Sequence, residues 1–428
     1  MSLPRVGVIH SPFGAASIRD IKRSAAGLCD PVILFTDEVA RAHEAMVGVA
    51  AKLFEVAVAP QAELVDTCRS LGLKGVTTFH DAHVEDVDVV AVMLGLPGAA
   101  AVESPWDKFA QRQYLRAAGL TGVRCFRVDC LEDFERAIAE VSPPCVLKPR
   151  RGVGGSGVAF LQDLRDVQHQ RAERQDWMGL TLETWLPQGA HPVRPDWLGN
   201  FVSVETVSTG DEHHAVAVFD KSPIVVVRHG GREGADAVSV TGDIVPSQLP
   251  RIQQDAICAH VRYCLETLGV RWRVTHTEVQ LTPDGMDIIE INGRMGGHLN
   301  RLLRLVGSTD LVKSAFSVAL GVPPALPATE PDGYAMGYFP PFSGRTRQVM
   351  SRVTAADLRR LDGIVGVDEV AARGSARADS GYRMANVTLR AGTADELHKV
   401  AIGASRGIRE LFAADAEDAQ VTAMSSGD

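Results

Sequence analysis

The sequence lacks a long apolar run. No uninterrupted stretch has the length needed to span a bilayer, and the start, MSLPRVGVIH, has no basic segment followed by an apolar one. A Lys- or Arg-rich block is missing too, and 53 acidic against 44 basic residues give a net charge of -9. These absences argue against a membrane span, a secretory leader and nucleic-acid binding. We therefore expect a cytoplasmic protein.

Paired cysteines and a dinucleotide fingerprint are also missing. The seven cysteines have scattered spacings and form no C-x-x-C pair, which argues against a zinc site or a catalytic thiol and favours reduced core residues. The first turn, at residues 10–14, lacks the three-glycine spacing that binds a dinucleotide, so we do not expect NAD there.

What is present indicates a large α/β (α+β) protein with several lobes. The 428 residues are 45% apolar and can bury a sizeable core. Short apolar runs alternate with helical segments near the start, and a helix is predicted to begin with Ser104 as its N-cap and to end near Gly119. Strand signals then shorten and alternate with turns from Val123, and the Ala- and Asp-rich end from Ala413 is typical of a disordered tail.

The first chemical signal is a strand that ends in a lysine and runs into four glycines. It reads VLKPRRGVGGSGV from Val146 to Val158 and contains Lys148. Glycines let backbone N–H groups approach phosphate oxygens, and a lysine on a rigid strand supplies a fixed positive charge. A glycine-rich turn alone is also compatible with a plain mobile hairpin. The lysine precedes the glycines, so the segment is neither a P-loop nor a protein-kinase glycine loop.

The second signal is a predicted β-hairpin that carries two glutamates. If Pro283, Asp284 and Gly285 form a three-residue loop, Glu278 lies directly opposite Glu290. Opposed carboxylates repel unless a cation lies between them, and Mg²⁺ binds one or two carboxylates with an amide oxygen, here that of Asn292. The alternative is a surface hairpin whose glutamates point at solvent.

Arginine and glycines follow these ligands directly. Arg294 supplies a fork-shaped cation, and the two glycines Gly296 and Gly297 free backbone N–H groups next to it. Such a set can hold a carboxylate or phosphoryl oxygens in two-point fashion and can stabilise a tetrahedral oxyanion. We therefore predict Arg294, Gly296 and Gly297 as catalytic groups.

Together these motifs resemble the ATP-grasp superfamily, and within it the carboxylate–amine ligase branch that includes the bacterial L-amino-acid ligases. The resemblance implies an ATP-grasp fold with an N-terminal Rossmann-like pre-ATP-grasp domain and a C-terminal α+β lobe. The implied division is an N-terminal domain at 1–103, a small subdomain with the glycine loop at 104–185, a large subdomain with the metal hairpin at 186–327, the C-terminal lobe at 328–413 and a disordered tail at 414–428.

The same resemblance assigns roles to residues. Lys108 and Lys148 would bind the α- and β-phosphates of ATP, and Arg294 would bridge phosphate and carboxylate. One or two Mg²⁺ ions, with Mn²⁺ as a substitute, would be held by Glu278, Glu290 and Asn292. The glycine loop would close over the triphosphate through Gly154, Gly155, Ser156 and Gly157, and the adenine would contact Glu183 and the backbone of Thr184 and Leu186.

Some assignments stay open. The acidic residue that binds the ribose in the family is left unassigned, because residues 188–191 are followed by an apparent insertion through Asn200. Glu205 either faces the site or is a buried or paired structural carboxylate. Lys221 either contacts the substrate or is a surface charge. The glycine-rich stretch at 228–234 is either a substrate loop or a connector.

The reaction that the resemblance implies is ATP-dependent ligation of a carboxylate to an amine through an acyl phosphate, with release of ADP and phosphate. Amino acids are the expected substrates, in dipeptide or natural-product synthesis, and a homodimer is an option. A phosphotransferase and a non-catalytic nucleotide-binding protein are the alternatives. The sequence does not identify the carboxylate or the amine.

Overall fold

The computed structural model describes residues 2–98, 102–152, 155, 157–227, 237–326, 330–342, 348–376 and 383–425. Within these ranges no helix is both long and apolar enough to cross a membrane. All seven cysteines are free; five are buried, whereas Cys130 is exposed and Cys258 is half-buried.

The N-terminal lobe is a parallel sheet between helices, so the α/β alternation expected from the sequence is present. Its strand order is β3-β2-β1-β4, and all three pairs are parallel. The strands are β1 (Arg5–Ile9), β2 (Asp30–Thr36), β3 (Glu55–Ala59) and β4 (Gly75–Thr78), and the helices are α1 (Ile18–Ala25), α2 (Asp37–Ala42), α3 (Glu44–Ala51), α4 (Leu64–Ser70) and α5 (Val84–Leu94). Because parallel strands end at one edge, the turns after β1 and β4 lie side by side.

The next helix begins later than predicted. It is α6 (Lys108–Ala117), and its N-cap is Asp107, whose carboxylate accepts the backbone N–H groups of Phe109 and Ala110 at 3.0 and 3.1 Å. The prediction of Ser104 as N-cap is wrong, because Ser104 has a φ of +50° and lies in a turn.

A four-stranded antiparallel sheet follows. Its order is β5-β8-β6-β7, so Lys148 lies on a central strand. The strands are β5 (Cys125–Val128), β6 (Cys145–Pro149), β7 (Ala159–Leu161) and β8 (Leu180–Thr184), with helices α7 (Leu131–Val141) and α8 (Leu164–Glu173).

The remaining strands form an eight-stranded sheet and a small ribbon. The large sheet has the order β15-β14-β9-β10-β13-β16-β18-β17. Its strands are β9 (Phe201–Thr209), β10 (Glu212–Lys221), β13 (Gly242–Val245), β14 (Arg273–Thr282), β15 (Gly285–Asn292), β16 (Tyr334–Tyr338), β17 (Ile364–Val370) and β18 (Ala385–Ala391). The ribbon consists of β11 (Ile224–Val227) and β12 (Ala237–Val240). The helices of this part are α9 (Arg251–Thr267), α10 (Leu299–Leu305), α11 (Leu311–Ala319), α12 (Ala355–Leu358) and α13 (Ala394–Ser425).

The large sheet and the last helix each differ from what the predicted domain division implies. The division itself stays a prediction. The large sheet crosses the proposed boundary at 327/328, because β13 pairs with β16. The last helix, α13, continues through residue 425, where a disordered tail was expected from 414; its alanines have high helix propensity. Residues 426–428 lie outside the described ranges.

The metal hairpin forms with a different turn from the one predicted. Thr282 pairs with Gly285, so the loop has two residues instead of three, and Gly285 has a φ of +145°. A bulge at Ile289 then adds one residue to β15, and Glu278 consequently lies opposite Glu290. The predicted pairing is present, although bulge and turn together produce it.

The N-terminal lobe is packed firmly against the large sheet. One hydrophobic core includes Val8 of β1, Phe316 of α11 and Val274 of β14. Gly75 permits this packing, because a Cβ atom there would lie 2.3 Å from the carbonyl oxygen of Ala319. The carboxyl edge of the N-terminal sheet is thereby held close to the end of the metal hairpin.

Candidate active site

The two predicted phosphate lysines are buried and belong to one charged cluster. The Nζ atom of Lys108, at the start of α6, donates to the carbonyl oxygen of Gly152 at 3.1 Å and lies 3.2 Å from Glu290 Oε2. Lys148 Nζ lies 2.9 Å from Glu183 Oε2. Burial lowers the pKa of Lys148 more than the Glu183 carboxylate raises it. The cluster therefore joins α6, β6, β8 and the hairpin.

Arg112 is a member of this cluster that the sequence reasoning missed. It is four residues after Lys108 on α6, 3% exposed, and its Nη2 atom lies 3.3 Å from Glu183 Oε2. The same atom donates to the carbonyl oxygen of Ile289 at 2.8 Å. Burial acts to raise the pKa of Glu183, but Arg112 and Lys148 outweigh it and keep that pKa low. The i, i+4 spacing from Lys108 was the available signal.

The predicted adenine contacts lie on strand β8, here called the hinge strand, and directly after it. They differ in whether a hydrogen-bonding group is left for the base. Glu183 Oε1 is buried and makes no hydrogen bond to any residue the structure describes, so one acceptor remains open there. The backbone N–H of Thr184 donates to the carbonyl oxygen of Arg124 at 2.9 Å and is thereby engaged. The carbonyl oxygen of Leu186 accepts from Gln188 Nε2 at 2.9 Å.

The glycine loop is only partly described. Gly154 and Ser156 lie outside the described residues, as does the stretch at 228–234. Gly155 and Gly157 have φ angles of +71° and +74°, which L side chains rarely adopt. The loop begins at Gly152, whose carbonyl oxygen accepts the hydrogen bond from Lys108 Nζ.

The three predicted metal ligands lie together on the hairpin. Asn292 Nδ2 donates to Glu290 Oε1 at 3.0 Å, which leaves Asn292 Oδ1 as an acceptor. Burial acts to raise the pKa of Glu290, but the ammonium groups of Lys108 and Lys148 hold it at about 2. The side chains of Glu278 and Glu290 are 24% and 20% exposed, so both carboxylates are reachable.

On the hairpin strand β14, His276 forms a buried pair with Glu205 of the neighbouring strand β9. His276 Nδ1 bonds Glu205 Oε1, and its Nε2 atom lies 3.4 Å from Glu278 Oε1. Burial alone would lower the pKa of His276, but Glu205 raises it to about 9. Glu205, fully buried, therefore faces the hairpin and orients the ring that contacts Glu278.

Arg294 lies at the junction with the N-terminal lobe. Its Nε and Nη2 atoms donate to Asp81 Oδ2 at 3.0 and 2.5 Å, and Nη1 donates to the carbonyl oxygen of Met295 at 2.9 Å. The two-point fork predicted for a substrate is thus directed at a carboxylate from the turn after β4. Asp81 was not predicted.

The two glycines after Arg294 differ in whether their backbone N–H is already hydrogen-bonded within the protein. The N–H of Gly296 donates to Glu205 Oε2 at 3.0 Å, so the oxyanion role predicted for it does not fit this arrangement, and Gly297 is left as the candidate donor. A Cβ atom on residue 296 would lie 2.4 Å from Leu299 and 2.7 Å from His276 Nδ1. Gly296 is therefore a close-approach position that lets the chain pass the His276 ring.

A second buried ion pair lies beside Glu278. Lys221 Nζ is 2.5 Å from Asp243 Oδ1. Burial acts to lower the pKa of Lys221, but Asp243 and then Glu278 raise it, so the lysine remains charged. Lys221 is therefore not a surface charge. Within the described ranges, the hairpin included, no group of three or more His, Cys, Asp or Glu residues could hold a metal ion, so the predicted site consists of two glutamates and the amide of Asn292.

The chain is similar to several known proteins. Residues 141–301 match the family model of the ATP-grasp domain. The alanine–anticapsin ligase of Bacillus subtilis (strain 168) is 25% identical over 238 residues, which are 51% of this chain and 48% of that protein. Carnosine synthase 1 of Homo sapiens is 31% identical over 62% of this chain and 33% of that protein. The chain spans about half the length of the first of these relatives.

Solved structures match over nearly the whole chain. An L-amino acid ligase from Bacillus licheniformis has a TM-score of 0.69 at 16% identity and covers 96% of this chain and 98% of its own. A carboxyaminoimidazole ribonucleotide synthase from Aspergillus clavatus, complexed with ATP, has a TM-score of 0.68 at 14% identity, with 96% and 99% covered. The predicted ATP-grasp fold and the resemblance to the carboxylate–amine ligase branch are confirmed.

Proposed function

We propose that this chain, which has the ATP-grasp fold, joins a carboxylate to an amine through an acyl phosphate and releases ADP and phosphate. The observation that carries the proposal is the meeting of Glu278 and Glu290 beside the buried lysines, with Arg294 directly after the hairpin. Merely holding a nucleotide does not require opposed carboxylates and a guanidinium next to the phosphate lysines. A reaction that develops negative charge at this place does require such groups, because they hold the cations that stabilise the charge.

ATP fits the cluster between the small sheet and the hairpin. Lys108 and Lys148 supply two positive charges for the α- and β-phosphates, and Glu290 and Glu183 hold them in place. The open acceptor Glu183 Oε1 is buried next to the hinge and suits an N–H donor such as the exocyclic amine of adenine. The nucleotide would thus replace part of an ion-pair network that is already organised.

The hairpin donors fit Mg²⁺. Glu290 is ionised at all physiological pH values, Glu278 lies opposite it, and Asn292 Oδ1 is free to coordinate, which is a hard oxygen set with room for phosphate oxygens. One or two such ions, when bound, would neutralise charge on the transferring phosphoryl group. His276, held by Glu205, orients Glu278 for this role.

The protein groups would act mainly by positioning. Arg294 donates to one oxygen of Asp81 from both Nε and Nη2, and the same two donors can instead bind the substrate carboxylate or phosphate. Gly297 is the proposed backbone donor to the oxyanion that forms when the amine attacks. The amine then displaces phosphate and forms the amide.

The names of the relatives support amino acids as substrates. One joins alanine to anticapsin, one is named for carnosine synthesis, and one structure is an L-amino acid ligase. We extend this class to the present chain, both for the carboxylate and for the amine. A cytoplasmic location belongs to the same proposal, because seven free cysteines suit a reducing compartment; a homodimer stays a prediction.

An ADP-release screen over pairs of amino acids and small carboxylic acids tests the proposal. A ligase releases ADP and phosphate only when both partners of a pair are present. ADP with a phosphorylated product and no amine requirement would indicate a phosphotransferase instead. Stoichiometric AMP and pyrophosphate would overturn the acyl-phosphate route.

A further inference from the structure

The N-terminal lobe contains three polar side chains in a row that the reaction above does not use. Ser11 Oγ lies 2.7 Å from His83 Nε2, and His83 Nδ1 lies 2.9 Å from Asp86 Oδ2. Ser11 and His83 are each 6% exposed, and the side chain of Asp86 is 11% exposed. They come from the turn after β1, the turn after β4 and the first turn of α5.

For a neutral His83 imidazole, the order of these groups sets the direction of their hydrogen bonds. The Asp86 carboxylate can only accept, so His83 Nδ1 carries the proton and donates it. His83 Nε2 then presents a lone pair, and the Ser11 hydroxyl donates to it. A hydroxyl hydrogen-bonded to an imidazole that a carboxylate orients is the arrangement of an activated serine or a proton relay.

Residues adjoining the relay interact with Arg294. Asp81, which binds the Arg294 guanidinium, is two residues before His83, and the ring of His80 is 5.8 Å from that of His83 between centroids. These turns are at the carboxyl edge of the N-terminal parallel sheet, where α/β proteins place ligands. The three groups therefore adjoin the candidate site on the side of the N-terminal lobe.

The charged and titratable neighbours of His83 are two histidines, His10 and His80, and two aspartates, Asp81 and Asp86. Burial, followed by the neighbouring His80 and His83, lowers the pKa of His10 to about 4, and burial and His83 also lower that of His80. The His10 ring is thus neutral at physiological pH. Asp81 is paired with Arg294, so Asp86 is the carboxylate that faces a protonated His83 directly.

The turn that carries Ser11 is strained. Phe13 has a φ of +62°, rare for an aromatic residue, and it is 94% exposed. Such conformations persist where the surrounding structure imposes them, often at sites of function. An exposed aromatic ring beside the serine offers an apolar contact to a ligand.

We propose that Ser11, His83 and Asp86 form a proton relay that deprotonates the amine substrate; this inference rests on the proposed ligase function. The ammonium form of an amino acid has no lone pair and cannot attack. As Ser11 Oγ takes one ammonium proton, the Ser11 hydroxyl proton passes to His83 Nε2. The products are a neutral amine, an intact Ser11 hydroxyl and a His83 imidazolium beside Asp86. The amine then forms the C–N bond, and phosphate leaves with the electron pair of the broken C–O bond and the second proton.

The test compares an amine that needs deprotonation with one that does not. Hydroxylamine is unprotonated near neutral pH and intercepts an acyl phosphate as a hydroxamate without a base. In Ser11→Ala we expect ligation of the amino acid near pH 7 to fall by about 10²-fold, the usual contribution of general base catalysis. Hydroxamate formation should stay within about twofold of wild type, because carboxylate activation does not use the relay.

A second variant and a pH series make the result decisive. Asp86→Asn keeps the side-chain volume but cannot stabilise a His83 imidazolium, so it should show the same split. In both variants the loss should shrink as the pH approaches the pKa of the substrate ammonium. Ser70→Ala, at an exposed serine of the same lobe, serves as the control and should match wild type in both reactions.

The outcomes separate the two proposals. Equal loss of ligation and hydroxamate in Ser11→Ala, or unchanged ligation near pH 7, would overturn the relay alone. Failure of the wild-type protein to form hydroxamate from any carboxylate with ATP would overturn the ligase proposal, and the relay with it.

Discussion

Burial makes the charged residues of the candidate site depend on one another, and this decides which variants are informative. Glu290 contacts both Lys108 and Asn292, whereas Glu278 contacts His276 at the longer distance of 3.4 Å. Removing the Glu290 charge would leave a buried ammonium partly unpaired, at a cost of about 1–3 kcal/mol. Glu278 can lose its charge with less effect on the free protein.

Glu278→Gln is therefore the cleaner test of the metal site. We expect turnover to fall by at least ~10²-fold, because a neutral amide is a poorer Mg²⁺ ligand. The melting temperature of the free protein should change little, while the rise caused by Mg-ATP should shrink. Glu212→Gln, whose side chain is 79% exposed on β10 of the same sheet, is the matched control. Near-normal turnover in Glu278→Gln would remove this residue from the metal site.

The pKa values of His276 and Glu290 predict how stability depends on pH. The pKa of His276 is raised to about 9, so its stabilisation is complete below its unfolded value of about 6.5 and is lost as the pH rises through 9. That of Glu290 is lowered to about 2, so its contribution is present above about 4.3 and is lost as the pH falls through 2. We expect maximal stability between about pH 4.5 and 6.5.

Urea unfolding without nucleotide or metal, measured across pH, checks this expectation. In His276→Gln the decline in unfolding free energy between about pH 6.5 and 9 should flatten, because the variant has no titrating ring. An unchanged decline in that variant would show that another group causes it.

At the scale of elements, the glycine loop links the two lysines. It follows Lys148 on β6, and its first carbonyl accepts the hydrogen bond from Lys108 on α6. A nucleotide that engages both lysines would therefore contact the loop at its base. We predict that hydrogen exchange between Arg150 and Val158 slows on addition of Mg²⁺ and a non-hydrolysable ATP analogue.

The control for the loop lies on the same small sheet. Amides of α8 (Leu164–Glu173), which follows β7 directly, should exchange at the same rate with and without the analogue. Equal exchange of the loop in both states would argue against its phosphate role.

At the scale of the whole molecule, the large sheet unites segments that the sequence suggested were separate. Strand β16 covers the edge of β13, and a hydrophobic core joins Ile244, Met336 and Leu389 from β13, β16 and β18. A chain ending at residue 327 would expose both the sheet edge and that core. We expect it to lose cooperative thermal unfolding, whereas a chain ending at residue 413 should keep it. A cooperative transition of the 327-residue chain near the full-length melting temperature would refute the dependence.

Local patterns in the sequence determined much of the architecture. Apolar runs that alternate with helical segments predicted an α/β N-terminal lobe, because buried strands such as β2 read as continuous apolar runs. The ATP-grasp fold was implied by the resemblance of the lysine, glycine, glutamate and arginine motifs to that family. Each strand or motif by itself is formed by residues near one another in the chain, so the sequence records it.

Only the tertiary structure decided the partners of the charged groups. The loop length was mispredicted, and Glu278 still meets Glu290 because a bulge at Ile289 compensates for the shorter turn. The pairings of Arg112 with Glu183 and of Arg294 with Asp81 join residues that are 71 and 213 positions apart. The sequence shows which side chains are charged. A buried charge needs a partner that offsets its loss of hydration, and packing between distant segments determines which residue that is. No local sequence pattern encodes such packing.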